Sequence, residues 1–260
     1  MDLKLKDKVI IVTGGTKGIG EAISRKIATE EAIPVFVGRG KESGKKLLQE
    51  FKNDNRTAHF IQGDLSKEGV CERVVQETLD KYGGIYGLVN NAGRNDSVGL
   101  ESGSPDAFRN SVNSNLNHYY EMAHFCLPAL KKSGGSIVNI SSKTAFTGQG
   151  GTSGYAAAKG AQLALTREWA VELLPYNVRV NAVIPAEVMT PLYKSWLSGF
   201  ENPEEKLQKI TEKIPLGKRM TTSEEIAATV IFLLSEQSSH TTGQHLVIDG
   251  GYSHLDRAIT

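Results

Sequence analysis

Short, largely apolar runs recur along the chain, and each is followed by a longer stretch in which apolar residues return every three or four positions. Val9–Val12 opens the series, and the pattern returns at Pro34–Val37, His59–Gln62, Gly87–Asn90, Ser136–Ser141, Val178–Ile184 and His245–Ile248. Runs that stay apolar, rather than alternating with polar residues, mark strands buried on both faces. The intervening periodicity is helical, with long helices predicted near Pro105–Lys131 and Ser153–Leu174. Pro175 should end the second, because proline cannot donate the helical N–H. A last helix is predicted from Ser223, with Glu224 and Glu225 in its first turn, where carboxylates offset the free N–H groups. Gly40–Gly44 and Gly148–Gly154 read as glycine-rich loops. Strands alternating with helices throughout predict an α/β chain with a mainly parallel sheet covered on both faces. No linker or repeat divides residues 1–260, so one domain is expected.

Composition narrows what such a domain does. Net charge is +1 and the basic residues are dispersed, which excludes a nucleic-acid or anionic-membrane surface. No apolar run reaches the length of a membrane span. The start, Met1-Asp2-Leu3-Lys4-Leu5-Lys6, lacks the apolar centre of a secretory signal. Cys71 and Cys126 have no spacing for a metal or redox pair, so two reduced thiols in a cytoplasmic protein are expected, with no metal.

Two patterns carry chemistry. Val9–Val12 runs into Thr13-Gly14-Gly15-Thr16-Lys17-Gly18-Ile19-Gly20, after which Ala22, Ile23 and Ile27 continue at helical spacing. Strand, glycine-rich turn and helix form the first half of a dinucleotide site, where the backbone can approach a pyrophosphate and the helix N-terminus offers free N–H groups. The second pattern is Ser142, then Tyr155 and Lys159. Tyr-x-x-x-Lys on a helix places phenol and ammonium on one face, one turn apart. A nearby cation favours the phenolate and brings a group of ordinary pKa about 10 toward use as a base. Ser142 adds a second hydroxyl for the same substrate oxygen.

Together these residues resemble the short-chain dehydrogenase/reductase family over nearly the whole chain. Thr13–Gly20 fits its glycine turn, Asn90-Asn91-Ala92-Gly93 its motif after the fourth strand, and Asn115 the helix asparagine of its catalytic tetrad. Ser142, Tyr155 and Lys159 complete that tetrad, and Asp249-Gly250-Gly251 fits the segment after the last strand. The resemblance implies a Rossmann-type doubly wound sheet, a nicotinamide cofactor, a homotetramer and a variable substrate lid near residues 187–215. It places the cofactor on Gly14, Thr16, Lys17, Gly18, Ile19, Gly20, Arg39, Asp64, Leu65, Asn91, Ala92, Gly93, Tyr155, Lys159, Pro185, Val188 and Thr190. Tyr155 is then the base, Lys159 lowers its pKa and holds the nicotinamide ribose, and Asn115 holds a water that links Lys159 to solvent. Ala156, Ala161, Leu163, Leu165 and Trp169 are candidates for an interface between subunits, with core packing as their other explanation.

Charge bears on the cofactor. Where NAD-selective members carry Asp at the end of the second strand, this chain has Gly38, followed by Arg39, and Lys17 is a second basic position. Two cations and no carboxylate favour NADP, with NAD as the alternative. On the substrate side the chain departs from the usual Pro-Gly with Pro185-Ala186-Glu187. Ala186 predicts a backbone that avoids positive φ. An ionised Glu187 suits a polyhydroxylated ligand and leaves an acyl chain facing an unpaired charge. Lys143 and Gln149 add polar groups near Ser142, and Trp196 could lie against a sugar ring. Salt bridging or lid packing explains Glu187 and Trp196 as well. Together with the Asp249–Arg257 run, these segments resemble members that oxidise the anomeric hydroxyl of an L-fucose-type aldose to a lactone. A 3-oxoacyl-carrier-protein reductase is the enzymatic alternative.

Overall fold

In β1 (Val9–Thr13) the side chains of Val9 and Ile11 join one apolar cluster and those of Ile10 and Val12 another. Both faces of the strand are therefore buried, which is why it reads as a continuous apolar run. The remaining strands are β2 (Ile33–Gly38), β3 (His59–Gln62), β4 (Gly87–Asn90), β5 (Ser136–Ile140), β6 (Arg179–Pro185) and β7 (His245–Ile248). Of these, β2, β4, β5 and β6 are likewise buried on both faces, whereas β3 and β7 are largely half-buried. The computed structural model describes residues 2–255; Met1, and Asp256 and Arg257 of the Asp249–Arg257 run, lie outside the described residues. The seven strands form one sheet in the order β3-β2-β1-β4-β5-β6-β7, with every pairing parallel. The predicted strands are all present, with ends displaced by a residue or so.

Helices cover both faces of the sheet. On one side α3 (Val70–Tyr82), α5 (His118–Ser133) and α6 (Ser153–Glu172) contribute Val74, Met122, Cys126 and Trp169 to the core with Ile11, Leu88 and Val180. On the other, α1 (Gly18–Thr29) and α9 (Ser223–Leu234) place Ile23, Ile27, Ile226 and Val230 over Ile10, Val89 and Val183. Thr222 caps α9 reciprocally with Glu225, so the predicted start at Ser223 holds. Pro175 is the second residue of a 3-10 turn, Leu174–Tyr176, just beyond the end of α6.

Two predicted elements differ. The helix expected over Pro105–Lys131 is α4 (Pro105–Val112), a π-turn at Asn113–Asn117, and then α5. The loop expected at Gly40–Gly44 is mostly helix: α2 (Lys41–Asn53) includes Gly44. A Cβ there would lie 2.2 Å from the Phe60 ring, so glycine serves close helix–sheet packing rather than a turn. Beyond β6 lie α7 (Pro191–Leu197) and α8 (Pro203–Thr211). Leu163 and Trp169 are buried in the chain's own core, which leaves Ala156, Ala161 and Leu165, all half-buried, of the apolar positions considered for an interface. Cys71 and Cys126 are buried free thiols. No helix among the described residues is long and apolar enough to cross a membrane, and no described cluster of side chains could hold a metal ion.

Candidate active site

The strand order reverses between β1 and β4: the chain runs outward from β1 to β2 and β3 on one side and from β4 to β7 on the other. In such sheets a crevice opens at the carboxyl ends of the two central strands. The sequence-predicted site residues lie at or after the carboxyl end of a strand, in the π-turn, or on α1, α6 or α7. Gly14 and Gly18 follow β1 at φ +64° and +56°, conformations that glycine adopts without the usual side-chain cost. A Cβ on Gly20 would sit 2.2 Å from the Gly14 carbonyl oxygen, so α1 approaches the turn as closely as a side-chain-free residue permits. No side chain caps the N-terminus of α1. Its first-turn N–H groups therefore keep their capacity for an anion such as a pyrophosphate, and the residues present fit a dinucleotide.

Thr13 and Asn91 fasten this turn to β4. Thr13 Oγ1 accepts from the amides of Asn91 at 2.8 Å and Ala92 at 3.0 Å, while Asn91 Nδ2 donates to the Thr13 carbonyl at 2.9 Å. Thr13 belongs to the glycine-turn motif, yet its role as the tie is visible only once β1 and β4 lie side by side. Lys17 and Arg39 are exposed, just beyond the ends of β1 and β2. Gly38 is closed by Thr16, whose Oγ1 would lie 2.7 Å from a Cβ there. Partial burial works against ionisation of Asp64, but hydrogen bonds from the Ser66 hydroxyl and amide, with Arg39 nearby, outweigh it and hold the carboxyl below its usual range. The side chain of Leu65 packs into the core, leaving its backbone to face a ligand.

The four residues of the predicted tetrad come from three elements. Asn115 lies in the π-turn, fully buried; its Oδ1 accepts from the Arg94 amide at 2.8 Å and its Nδ2 donates to the Ser111 carbonyl at 2.9 Å. Gly93 runs against it: a Cβ there would lie 2.9 Å from Asn115 Oδ1 and 3.7 Å from Lys159 Nζ. Ser142 follows β5 and caps a 3-10 turn, Lys143–Ala145. Tyr155 and Lys159 share α6, with Nζ 5.5 Å from the centre of the Tyr155 ring. Lys159 is buried and donates to the Ile140 carbonyl at 2.8 Å, Gln162 Oε1 at 3.2 Å and Tyr119 Oη at 3.4 Å. Tyr119 and Gln162 were not singled out by the sequence, because a tyrosine and a glutamine at these positions carry no motif.

Electrostatics depart from the expected activation. Burial pushes the Tyr155 phenol up to about 12, with Ser142 pulling the other way, and burial pushes the Lys159 ammonium down to about 7. Within the protein's own groups, loss of water governs both shifts. His118, beside this centre, is driven to about 4, first by burial and then by the charge of Lys159.

At the mouth, Lys143 and Glu187 form an ion pair between the ends of β5 and β6, both side chains largely buried. Glu187 Oε2 also accepts from the Tyr193 hydroxyl at 2.7 Å, and Lys143 Nζ lies 4.3 Å above the Tyr252 ring. The two residues predicted as separate sugar contacts are therefore partners. Ala186 does not adopt positive φ. Thr190 caps α7 by accepting from the Tyr193 amide at 3.2 Å, and Val188, buried, accepts from the Thr190 amide at 2.9 Å. Trp196 is 47% exposed and meets Tyr193 and Phe200 edge-on. Gln149 is exposed in its glycine-rich loop.

Comparison with known proteins agrees with this geometry. A family model described as enoyl-(acyl carrier protein) reductase matches residues 14–253. The chain is 37% identical to L-fucose dehydrogenase of Mus musculus over 245 residues, 94% of this chain and 88% of that one. It is 34% identical to the 3-oxoacyl-[acyl-carrier-protein] reductase of Thermotoga maritima over 251 residues, 96% of this chain and 99% of that one. The crystal structure of the Cj0485 dehydrogenase superposes with a TM-score of 0.94 at 53% identity, covering 99% of this chain and 98% of that one.

Proposed function

This chain belongs to the short-chain dehydrogenase/reductase family, and within it we propose an NADP-preferring dehydrogenase that oxidises the anomeric carbon of L-fucose or a close aldose to a lactone. The observation that carries the sugar reading is the Lys143–Glu187–Tyr193 cluster, whose first member directly follows Ser142. A carboxylate with spare lone pairs, an ammonium and a phenol can exchange hydrogen bonds with several vicinal hydroxyls, whereas an acyl chain would strip them of water without replacing it. The similarity to L-fucose dehydrogenase supports the same reading. The acyl-carrier-protein reductase similarity keeps a ketoacyl substrate as the competing one.

A bound nicotinamide would supply the hydride-accepting chemistry for C1 of the sugar, and its positive ring would add charge that favours the phenolate. Tyr155 takes the proton of the anomeric hydroxyl as its O–H bond breaks and the C1–O bond becomes a carbonyl. Ser142 hydrogen-bonds that oxygen and keeps C1 in line. Lys159 would turn one N–H from Tyr119 Oη, the longest of its contacts at 3.4 Å, to the ribose hydroxyls, and supplies positive charge beneath Tyr155. Asn115 fixes the wall between Gly93 and Lys159. Lys17 and Arg39 would pair with a 2′-phosphate, and no side chain at Gly38 opposes it. Residues near 187–215, including α7 and α8, act as the substrate lid. By family analogy the enzyme assembles as a homotetramer, and its two free thiols suit the cytoplasm.

Incubation with L-fucose and NADP, followed by hydroxylamine trapping, should yield the aldonic hydroxamate expected from a lactone. Unchanged sugar with no trapped product would contradict the proposal.

A further inference from the structure

Gln162 is a fully buried amide on α6, three residues beyond Lys159. It is tied at both ends. Nε2 donates to the backbone carbonyl of Asn115 at 2.8 Å, and Oε1 accepts from Lys159 Nζ at 3.2 Å. A carbonyl only accepts and an ammonium only donates, so the orientation of the amide is dictated by its two partners. The carbonyl it meets lies in the π-turn that breaks the helix between α4 and α5, a kind of distortion that shifts backbone groups out of the ordinary helical ladder.

Lys159 has three N–H bonds to place, and the protein offers three acceptors: the Ile140 carbonyl, Tyr119 Oη and Gln162 Oε1. Tyr119 and Ile140 already share a hydrogen bond of 2.9 Å. Gln162 is the acceptor that links the ammonium to the wall built around Asn115. We propose that Gln162 is a positioning residue: its amide joins Lys159 to the Asn115 carbonyl through protein atoms and so fixes the charge beneath Tyr155.

The groups facing Lys159 are few. Tyr155 comes from its own helix; Tyr119, with its ring centre 5.4 Å from Nζ, and His118 come from α5; Ser141, which donates to the Lys159 carbonyl, comes from the end of β5. Asp64 acts on His118 and forms no ion pair with Lys159, and no carboxylate among the described residues does so. Gln162 is thus a neutral dipole in a place where a charge would be felt directly. Replacing it by an apolar side chain should disfavour the ammonium, and replacing it by a carboxylate should favour it.

The test is a 15N NMR titration of the Lys159 side chain in lysine-labelled protein, with the signal assigned by its loss in Lys159→Arg. In Gln162→Met the midpoint should fall by about one pH unit, and in Gln162→Glu it should rise by at least as much. The acid limb of the hydroxyl-oxidation rate should move to higher pH in Gln162→Met, with the substrate KM changed less than about twofold. General loosening of the core would move both variants the same way, and that result, or no movement in either, overturns the proposal. If Gln162→Met does not fold, the Gln162→Glu titration decides alone: a rise supports the link and its absence overturns it. The proposal rests on Lys159 serving Tyr155 and not on the choice of sugar, so the titration stands even if the aldose reading fails.

Discussion

The floor of the crevice and its mouth are built by opposite rules. In the floor, Asn90, Asn115, Asn139, Lys159, Gln162 and Thr166 are all buried and hydrogen-bonded into one another. Asn139 links Asn90 to Thr166, and Thr166 donates to the Gln162 carbonyl, so the polar atoms that position Lys159 have little freedom to move. At the mouth, Leu192 is 60% exposed and Trp196 47%, and the aromatic side chains of α7 meet each other, Phe200 and, through the Tyr193 hydroxyl, the Glu187 carboxylate. Where polar groups are committed in a low-dielectric interior, a substitution damages chemistry and stability together. Where side chains project from the surface, a substitution changes what is bound and little else. The Lys143–Glu187 pair stands between the two, buried like the floor and placed like the mouth.

The comparison breaks most visibly at the base. Tyr155→Phe should lower turnover by about 10³-fold or more while leaving the affinity for NADP nearly unchanged, as read by initial rates and a cofactor titration. Substantial residual turnover would remove Tyr155 from the role. Next in size is Asn139→Leu, which keeps the bulk but strands Asn90 and Thr166; it should cost about 2 kcal/mol in denaturant unfolding and reduce turnover as well. A loss of activity with unchanged stability would show that floor and fold are separable.

The remaining effects are smaller. Arg39→Ala should raise the KM for NADP by about tenfold and leave that for NAD unchanged. Gly38→Asp alone should fail to convert the enzyme to NAD because Thr16 occupies the space, whereas pairing it with Thr16→Gly should succeed. Trp196→Ala should raise the sugar KM by about threefold, equivalent to well under 1 kcal/mol, with the thermal midpoint unmoved. The least expected effect is at α9. The Arg219 guanidinium, and then the Thr222 amide, hold the Glu225 carboxyl at about 2. A folded value below the ordinary 4.5 gives stability that is present above pH 4.5 and is lost as pH falls toward 2. Because the pair is largely exposed and screened by solvent, Arg219→Ala should shift the acid-unfolding transition only slightly.

Much of the floor was legible in the sequence, and less of the mouth. The central strands β1, β2, β4, β5 and β6 were predictable because each is buried on both faces and must stay apolar, and Ser142, Tyr155 and Lys159 stood out because their chemistry requires fixed spacing. The π-turn was not legible: Asn113–Asn117 sits inside a helical pattern that continues on both sides, and one widened turn leaves no compositional mark. Gly44 misled for the opposite reason, since a glycine needed for Phe60 looks like a glycine needed for a turn. Lys143 and Glu187 are 44 residues apart, and only the parallel pairing of β5 with β6 brings them together. Gln162 could have been noticed as a polar residue at a core position of α6, but its partner, a backbone carbonyl, has no sequence signature at all.

The most direct test of the central claim is the set of kcat/KM values for free aldoses with NADP and with NAD, measured beside NADPH consumption on an acetoacetyl thioester. The account predicts fast NADPH formation with L-fucose, weaker rates with its epimers and with NAD, and little or no turnover of the thioester. Silence across the aldoses with rapid reduction of the thioester would contradict it and leave the Lys143–Glu187 pair as a structural clasp between β5 and β6.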